Sequence, residues 1–277
     1  MRENFQRRSF AMSENQKNIL KYNLQCTREE HPYNEGQKKI FSILSKTENI
    51  EEIYLIVGTF PPSRFVGEMK NTKDGYLHTV DSKNEVIKEV DWYYGSKDNE
   101  MWGHNGEKGL LQESLGSNEI LSTKESRIEF CKKYGIVFLD LFQTINRYAD
   151  SALDENIFPL EVVNLLEYLK QYPKIKGILF TSEWVMKIAK KEYLKENKEI
   201  LEKLRNEGEK IGDERVSLKY VQKNTFLVKT QKDSEDYREV KIARLTSPSS
   251  CAKATSEDKK ASWNKAFESV DFFVNKK

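Results

Sequence analysis

The chain has 277 residues, and its 46 Lys and Arg residues against 44 Asp and Glu residues give a formal net charge of +2. This near balance excludes a histone-like or otherwise strongly cationic protein. Aromatic residues make up 11% of the chain and four of them are Trp, a content that disordered chains lack, so we expect a folded core.

The sequence also indicates where the protein acts and whether it binds a metal or a cofactor. No stretch approaches the roughly 18 consecutive apolar residues of a membrane helix, and the N-terminus has no apolar export signal. Cys26, Cys131 and Cys251 are far apart and lack the CxxC spacing of metal sites. We therefore expect a cytoplasmic protein with no membrane contact, three reduced thiols, no metal and no cofactor.

Residues 1–34 are polar and show no hydrophobic period, so we interpret them as an N-terminal extension or a mobile arm. We expect residues 35–277 to form a single domain. Within it, four short apolar runs rich in β-branched residues predict buried strands, at 53–57, 135–139, 177–180 and 240–245.

Helical patterns lie between these strands. Ser122 and Glu125 have the spacing of a capping box, Pro159 precedes a helical pattern that continues to Leu169, and residues 184–205 predict a long helix with a solvated face. The alternation predicts an α/β fold, a three-layer α/β/α arrangement with a central, mostly parallel sheet of about four strands.

Two segments do not fit this alternation, and we interpret them as insertions at 63–91 and 207–239. The second contains two alternating runs, at 216–222 and 224–230, that could pair as a hairpin.

In such a sheet the ligand binds beyond the carboxyl ends of the strands. Thr59 and Phe60 follow the first predicted strand, Asp140 follows the second, and a Ser- and Pro-rich loop follows the fourth. The segment 92–102, with the sequence WYYGSKDNEMW, adds a dense set of aromatic and amide side chains.

Taken in order, these segments resemble the uracil-DNA glycosylase superfamily, and most closely its mismatch-specific and deoxyinosine-type branch. The matching segments are HPY at 31–33, GTFPP at 58–62, YYGSKDNEMW at 93–102, GIVFLD at 135–140, Arg147 with SALDENI at 151–157, KGILFTS at 176–182 and LTSPSSCAKA at 245–254. The resemblance spans about residues 31–267, and it rests on the order of several short matches.

The resemblance implies that the chain is an enzyme, a monofunctional DNA glycosylase that removes a base from DNA and leaves an abasic site. Hypoxanthine and uracil are the leading bases, with a bulkier modified base as a variant of the same hypothesis. Because a base within a duplex cannot be reached, the nucleotide must be flipped into the site. The implied partner is DNA that contains such a base, and we expect a monomer that acts at the nucleoid.

Many members of the superfamily carry an Asn or Asp in the first motif to position water, whereas GTFPP contains neither. In the deoxyinosine-type branch a catalytic Asn falls in the segment that matches 93–102. Asn99 matches it and is our expected catalytic residue, with Asp98 as the second candidate. The alternative interpretation of Asn99 is an amide that caps a helix.

The resemblance also assigns residues to the base and to the DNA backbone. Asp140 would contact the base edge, and because a carboxylate accepts hydrogen bonds it would favour N–H donors such as the ring of hypoxanthine. The alternative is that Asp140 caps the following helix. The other expected base-binding residues are Thr59, Phe60 and Tyr94, and the expected DNA-binding residues are Ser247, Ser249, Ser250 and Lys253.

Two rival functions remain open. The first is a catalytically silent DNA-binding protein that senses unusual bases with the same fold, which the altered GTFPP motif favours. The second is a small-molecule nucleoside hydrolase on a doubly wound sheet. Neither predicts an abasic product in DNA, and only the first predicts salt-sensitive DNA binding.

Overall fold

A computed structural model describes residues 26–31, 50–61, 78–80, 86–88, 92–95, 99–103, 107–148, 154–196, 224–229, 236–249 and 252–272. The chain forms two compact units. The first comprises Met1–Glu35, Thr59–Ser96 and Asp140–Val163, and the second comprises Gly36–Gly58, Lys97–Leu139 and Asn164–Lys277.

The secondary structure alternates along much of the described chain. The strands are β1 (Cys26–Glu30), β2 (Ile53–Gly58), β3 (His78–Val80), β4 (Val86–Lys88), β5 (Ile136–Asp140), β6 (Phe142–Tyr148), β7 (Ile157–Val162), β8 (Ile175–Phe180), β9 (Thr225–Lys229) and β10 (Tyr237–Arg244). The helices are α1 (Leu110–Ser114), α2 (Lys124–Tyr134), α3 (Leu165–Gln171), α4 (Glu183–Glu196) and α5 (Ser256–Ser269). No helix within these ranges is both long and apolar enough to cross a membrane.

A five-stranded sheet of order β5-β2-β8-β10-β9 is the centre of the second unit. The β2–β8 and β8–β10 pairs are parallel and the β9–β10 pair is antiparallel. Every residue of β2 and β5 is buried, as expected for strands covered on both faces. Helices α3, α4 and α5 pack against β9, β8 and β10. The predicted α/β fold with a mostly parallel sheet is therefore confirmed.

The sheet differs from the prediction in its strand number, five in the described residues instead of about four. The additional strand is β9, which comes from the segment interpreted as an insertion. It pairs antiparallel with β10, with Phe226 opposite Val240. The run at 216–222, its expected hairpin partner, lies outside the described residues, as does most of the segment 63–91.

The first unit contains a three-stranded antiparallel sheet of order β1-β6-β7 and the separate antiparallel pair β3–β4. Residues 26–30 had been assigned to the N-terminal extension, and they pair with β6 along their whole length, from Cys26 opposite Tyr148 to Glu30 opposite Thr144. The domain boundary near residue 34 stays a prediction, because residues 32–49 are not described.

The helix expected to begin at Pro159 was a wrong prediction, since Pro159 lies within β7, opposite Ile145. β7 is at the edge of its sheet, where a residue without a backbone N–H group is tolerated. The helix instead begins at Leu165, after Asn164, whose Oδ1 accepts a hydrogen bond from the Glu167 backbone N at 3.3 Å.

The other helix boundaries lie close to the predicted ones. The capping box of α2 lies one residue later than expected, with the Thr123 hydroxyl accepting from the Ser126 backbone N at 3.1 Å. α2 ends at Tyr134 and is capped by Gly135, whose φ of 65° suits glycine, and the chain enters β5 at the next residue. α4 begins one residue before the predicted start of its helix, and residues 197–205 are not described.

Candidate active site

Polar side chains from distant segments of the chain lie around Phe60 in the first unit. We call this group the strand-end cluster; its members are Glu29, His31, Thr59, Phe60, Asp140, Arg147 and Asp154. Asp140 is the last residue of β5 and lies 2.9 Å, from Oδ2, from Nε2 of His31. Both side chains are buried. The residue after Asp140 leads into β6, so the alternative that Asp140 caps a helix is wrong.

A buried ion pair holds the loop after β2. Arg147 on β6 directs Nε to both carboxylate oxygens of Glu29 on β1, each at 3.0 Å, and its side chain is 1% exposed. Nη2 of Arg147 donates to the Pro61 carbonyl at 2.6 Å, and the guanidinium carbon lies 5.7 Å from the centre of the Phe60 ring. The His31 ring meets the Phe60 ring edge to face at 5.1 Å. Phe60 is therefore fixed by two basic side chains.

Asp154 is the member of the cluster whose ionisation is most altered. It is the first residue of a short 3-10 turn, Asp154–Asn156, that precedes β7. Burial raises the pKa of the Asp154 carboxyl from 3.8 to about 6; a hydrogen bond from the Thr59 hydroxyl lowers this pKa, the charge of Asp140 raises it, and Arg147 lowers it. Asp154 lies within the SALDENI match but is not one of the predicted site residues.

The aromatic residues of the first unit are mainly core. Trp92, Tyr93 and Phe60 are buried, and Tyr93 stacks on His31 with ring centres 6.1 Å apart. Tyr94 is half-buried and has a φ of 54°, in the left-handed region that is strained for a bulky side chain. Strained residues concentrate at functional sites, and the base-binding role of Tyr94 stays a prediction.

The second unit holds the expected catalytic amide. Asn99 forms an isolated antiparallel bridge with Ser249, and the Glu100 backbone N donates to the Pro248 carbonyl at 2.8 Å. Oδ1 of Asn99 accepts from the Met101 backbone N at 3.0 Å. The alternative that Asn99 caps a helix is wrong, because this bond closes a turn and α1 begins only at Leu110.

A buried lysine ties the Asn99 segment to the Ser- and Pro-rich loop. Lys259 on α5 has a 2% exposed side chain, and its Nζ donates to the Ser249 carbonyl at 2.9 Å and to Glu100 Oε1. α5 begins after Thr255, whose hydroxyl accepts from the Asp258 backbone N at 3.1 Å. The loop is therefore held between two segments that are more than 100 residues apart along the chain.

The predicted residues divide between the two units. Thr59, Phe60, Tyr94 and Asp140 belong to the first unit, and Asn99, Ser247, Ser249 and Lys253 belong to the second. Ser247 Oγ accepts from the Ser249 backbone N at 3.3 Å, whereas Lys253 is exposed. Asp98 and Ser250 lie outside the described residues. A cavity of about 280 Å³ in the second unit, beside Trp102, Gln112 and Arg127, is lined by none of the predicted site residues.

No protein-family model matches the chain, and no curated protein matches it. One matching solved structure is the solution NMR structure of a "putative Uracil DNA glycosylase" from Methanosarcina acetivorans, with 16% identity, a TM-score of 0.41, and coverage of 80% of this chain and 93% of that chain. A likeness of this size carries no argument about activity.

Proposed function

We propose that this protein is a DNA glycosylase that flips a deaminated or modified base out of DNA and hydrolyses its N-glycosidic bond. The observation that carries the proposal is that residues from separate matching segments contact one another. Asp140 is linked through His31 to Phe60 in the first unit, and Asn99 is bridged to Ser249 in the second. The resemblance of the segments to glycosylase motifs supplies the reaction.

Asn99 would act by hydrogen bonding, because an amide has no strong basicity. Its bond to the Met101 backbone N fixes the plane of the amide, and a fixed orientation is what positioning of water or substrate requires. Its bridge to Ser249 couples that orientation to the loop expected to contact DNA. Asp98 remains the second candidate for this role.

Asp140 would read the base. One carboxylate oxygen is engaged with His31, which leaves Oδ1 to accept from an N–H group of a flipped base. This arrangement favours hypoxanthine or another base with an N–H donor at its edge. Thr59, Phe60 and Tyr94 would complete the base-binding residues, and base–aromatic stacking contributes about 1–3 kcal/mol per base.

The backbone of the DNA would lie against the Ser- and Pro-rich loop. Hydroxyls of Ser247, Ser249 and Ser250 and the amine of Lys253 can donate to phosphate oxygens. The N-terminus of α5 follows this loop and adds a positive partial charge. These contacts predict binding that weakens as salt rises.

The test uses labelled oligonucleotides that each contain one uracil, hypoxanthine, xanthine or bulky modified pyrimidine, followed by alkali cleavage of abasic product. We expect product with the wild-type protein and its loss with Asn99→Ala. Asn164→Ala is the matched control, because Asn164 Oδ1 also accepts a backbone N–H, from Glu167, at the exposed N-cap position before α3. Asp140→Asn should change the preference among bases, since an amide can also donate.

Two outcomes would contradict the proposal. Salt-sensitive DNA binding without product on any oligonucleotide would instead identify a sensor of unusual bases. Release of base from free deoxynucleosides, with no DNA binding, would identify a small-molecule hydrolase.

A further inference from the structure

His31 lies directly after β1, and strand pairing fixes its backbone. β1 pairs with β6 as far as Glu30, which lies opposite Thr144. The His31 backbone N then donates to the Gln143 carbonyl at 2.8 Å, so the contact with β6 continues for one more residue. The imidazole is therefore attached to a backbone that the three-stranded sheet holds in place.

The imidazole ring itself is fixed on three sides. It meets the Phe60 ring edge to face at 5.1 Å and stacks on Tyr93 with ring centres 6.1 Å apart. Its Nε2 lies 2.9 Å from Oδ2 of Asp140. Because a carboxylate has no hydrogen to give, Nε2 is the donor in this bond. Packing against two aromatic rings thus fixes the direction of the N–H group that holds Asp140.

The two members of this pair differ in exposure. The Asp140 side chain is 7% exposed, whereas the His31 side chain is completely buried. A ligand of the first unit can therefore reach Asp140 but not His31. His31 can act on a ligand only through the residues it contacts. The charged one among them is Asp140, whose Oδ1 is the atom expected to accept a hydrogen bond from the base.

We propose that His31 is a positioning residue that sets the base specificity of the site, because its N–H group keeps Asp140 a pure hydrogen-bond acceptor. The inference rests on the proposed function and narrows its substrate class. While Nε2 donates to Oδ2, the carboxylate stays ionised and Oδ1 remains to accept an N–H group. The preferred base is one whose N–H group has few carbonyl oxygens beside it.

The two leading bases differ in this respect. The ring N–H of hypoxanthine lies beside one carbonyl group, whereas the ring N–H of uracil lies between two. A carboxylate oxygen attracts the N–H group of either base and repels each neighbouring carbonyl oxygen, so an acceptor at this position favours hypoxanthine. Without the His31 donor, a mostly buried carboxyl is better accommodated as the neutral acid. The neutral acid can donate to a carbonyl group, so the preference against uracil should weaken.

The experiment measures kcat/KM on oligonucleotides that contain one hypoxanthine or one uracil, and compares the ratio of the two values between variants. We expect the wild type to favour hypoxanthine. His31→Phe should lower the ratio by about tenfold or more, because it removes a hydrogen bond to a charged group. His31→Gln should keep the ratio within about threefold, since its amide can donate to Asp140. His78→Phe is the matched control, because His78 lies in the separate β3–β4 pair of the first unit.

A double-mutant cycle tests whether His31 acts through Asp140. In the Asp140→Asn background the carboxylate is absent, so the further change His31→Phe should leave the ratio unchanged. The ratio also separates specificity from folding. A variant that is partly unfolded loses activity on both oligonucleotides by the same factor, and this factor cancels in the ratio.

Three results would overturn the inference while the protein remains a glycosylase. The first is a wild type that favours uracil, the second is an unchanged ratio in His31→Phe, and the third is an equal effect of His31→Phe with and without Asp140→Asn. Failure of the proposed function has a different signature, a wild-type protein that releases no base from any DNA substrate.

Discussion

Replacement of Asp154 by Asn should make the folded protein more stable at neutral pH. The folded protein holds the Asp154 proton more tightly than an unfolded chain does, because the pKa is about 6 when folded against 3.8 for the ordinary group. Stability from this site is complete below about pH 4 and is lost as pH rises through 6. Asn carries no proton to lose, so the variant avoids that loss.

The magnitude follows from the two pKa values. The difference between about 6 and 3.8, at 1.36 kcal/mol for each pKa unit, corresponds to about 3 kcal/mol. Partial exposure of the carboxylate reduces this value, so we expect about 2–3 kcal/mol. Because Asn resembles the protonated carboxyl, the two proteins should differ little near pH 4.

Urea denaturation of both proteins at several values between about pH 4 and pH 8 measures the difference. We expect the free energy of unfolding of Asp154→Asn minus that of the wild type to grow with pH and to level off above about pH 7. Costs of the substitution that do not depend on pH cancel in this comparison. Parallel stability curves for the two proteins would refute the electrostatic reasoning about Asp154.

Three further predictions concern packing and reactivity. Lys259→Gln should lower the free energy of unfolding by about 1–3 kcal/mol in urea, because it removes the hydrogen bonds of a buried amine to the Ser249 carbonyl and to the partly exposed Glu100 carboxylate. The exposed Lys260→Gln should change it by less than about 1 kcal/mol, and similar losses for the two variants would contradict this. Gly135→Ala should destabilise the protein more than Gly116→Ala, since both have positive φ but an added Cβ meets backbone oxygen at 2.4 Å only at Gly135; equal melting temperatures would contradict this. Burial raises the pKa of the Cys131 thiol, so peptide mapping after alkylation should show slow labelling of Cys131 until urea unfolds the chain; rapid labelling of the native protein would contradict this.

The parallel core of the fold could be predicted because each of its strands is a short apolar run. β2 and β5 are buried on both faces, so each can be recognised as a strand from its own apolar sequence, without knowledge of the strand it pairs with. β6 could not be predicted in this way, because Gln143, Asn146 and Arg147 interrupt its apolar residues. Its identity as a strand depends on partners elsewhere in the chain, and β7 was hidden by Pro159, which alone favours a helix start.

The same distinction, between features visible in the local sequence and features that depend on distant partners, applies to the residues of the candidate site. Thr59, Phe60 and Asp140 follow predicted strands, and that position alone identified them. Glu29, His31 and Asp154 lie in segments whose pairing with β6 or with the loop after β2 cannot be inferred from local pattern. Their roles are set by burial and by charged neighbours, which exist only in the folded chain.

The pairing of β1 with β6 has a consequence for the order of folding. Glu29 and Arg147 are separated by 118 residues, and the first unit is built from three separate stretches of chain. Contacts this distant along the chain require closure of a long loop, which slows folding compared with local elements such as α2 followed by β5. During synthesis β1 emerges early and must wait for β6. We therefore expect the strand-end cluster to be among the last parts of the molecule to form.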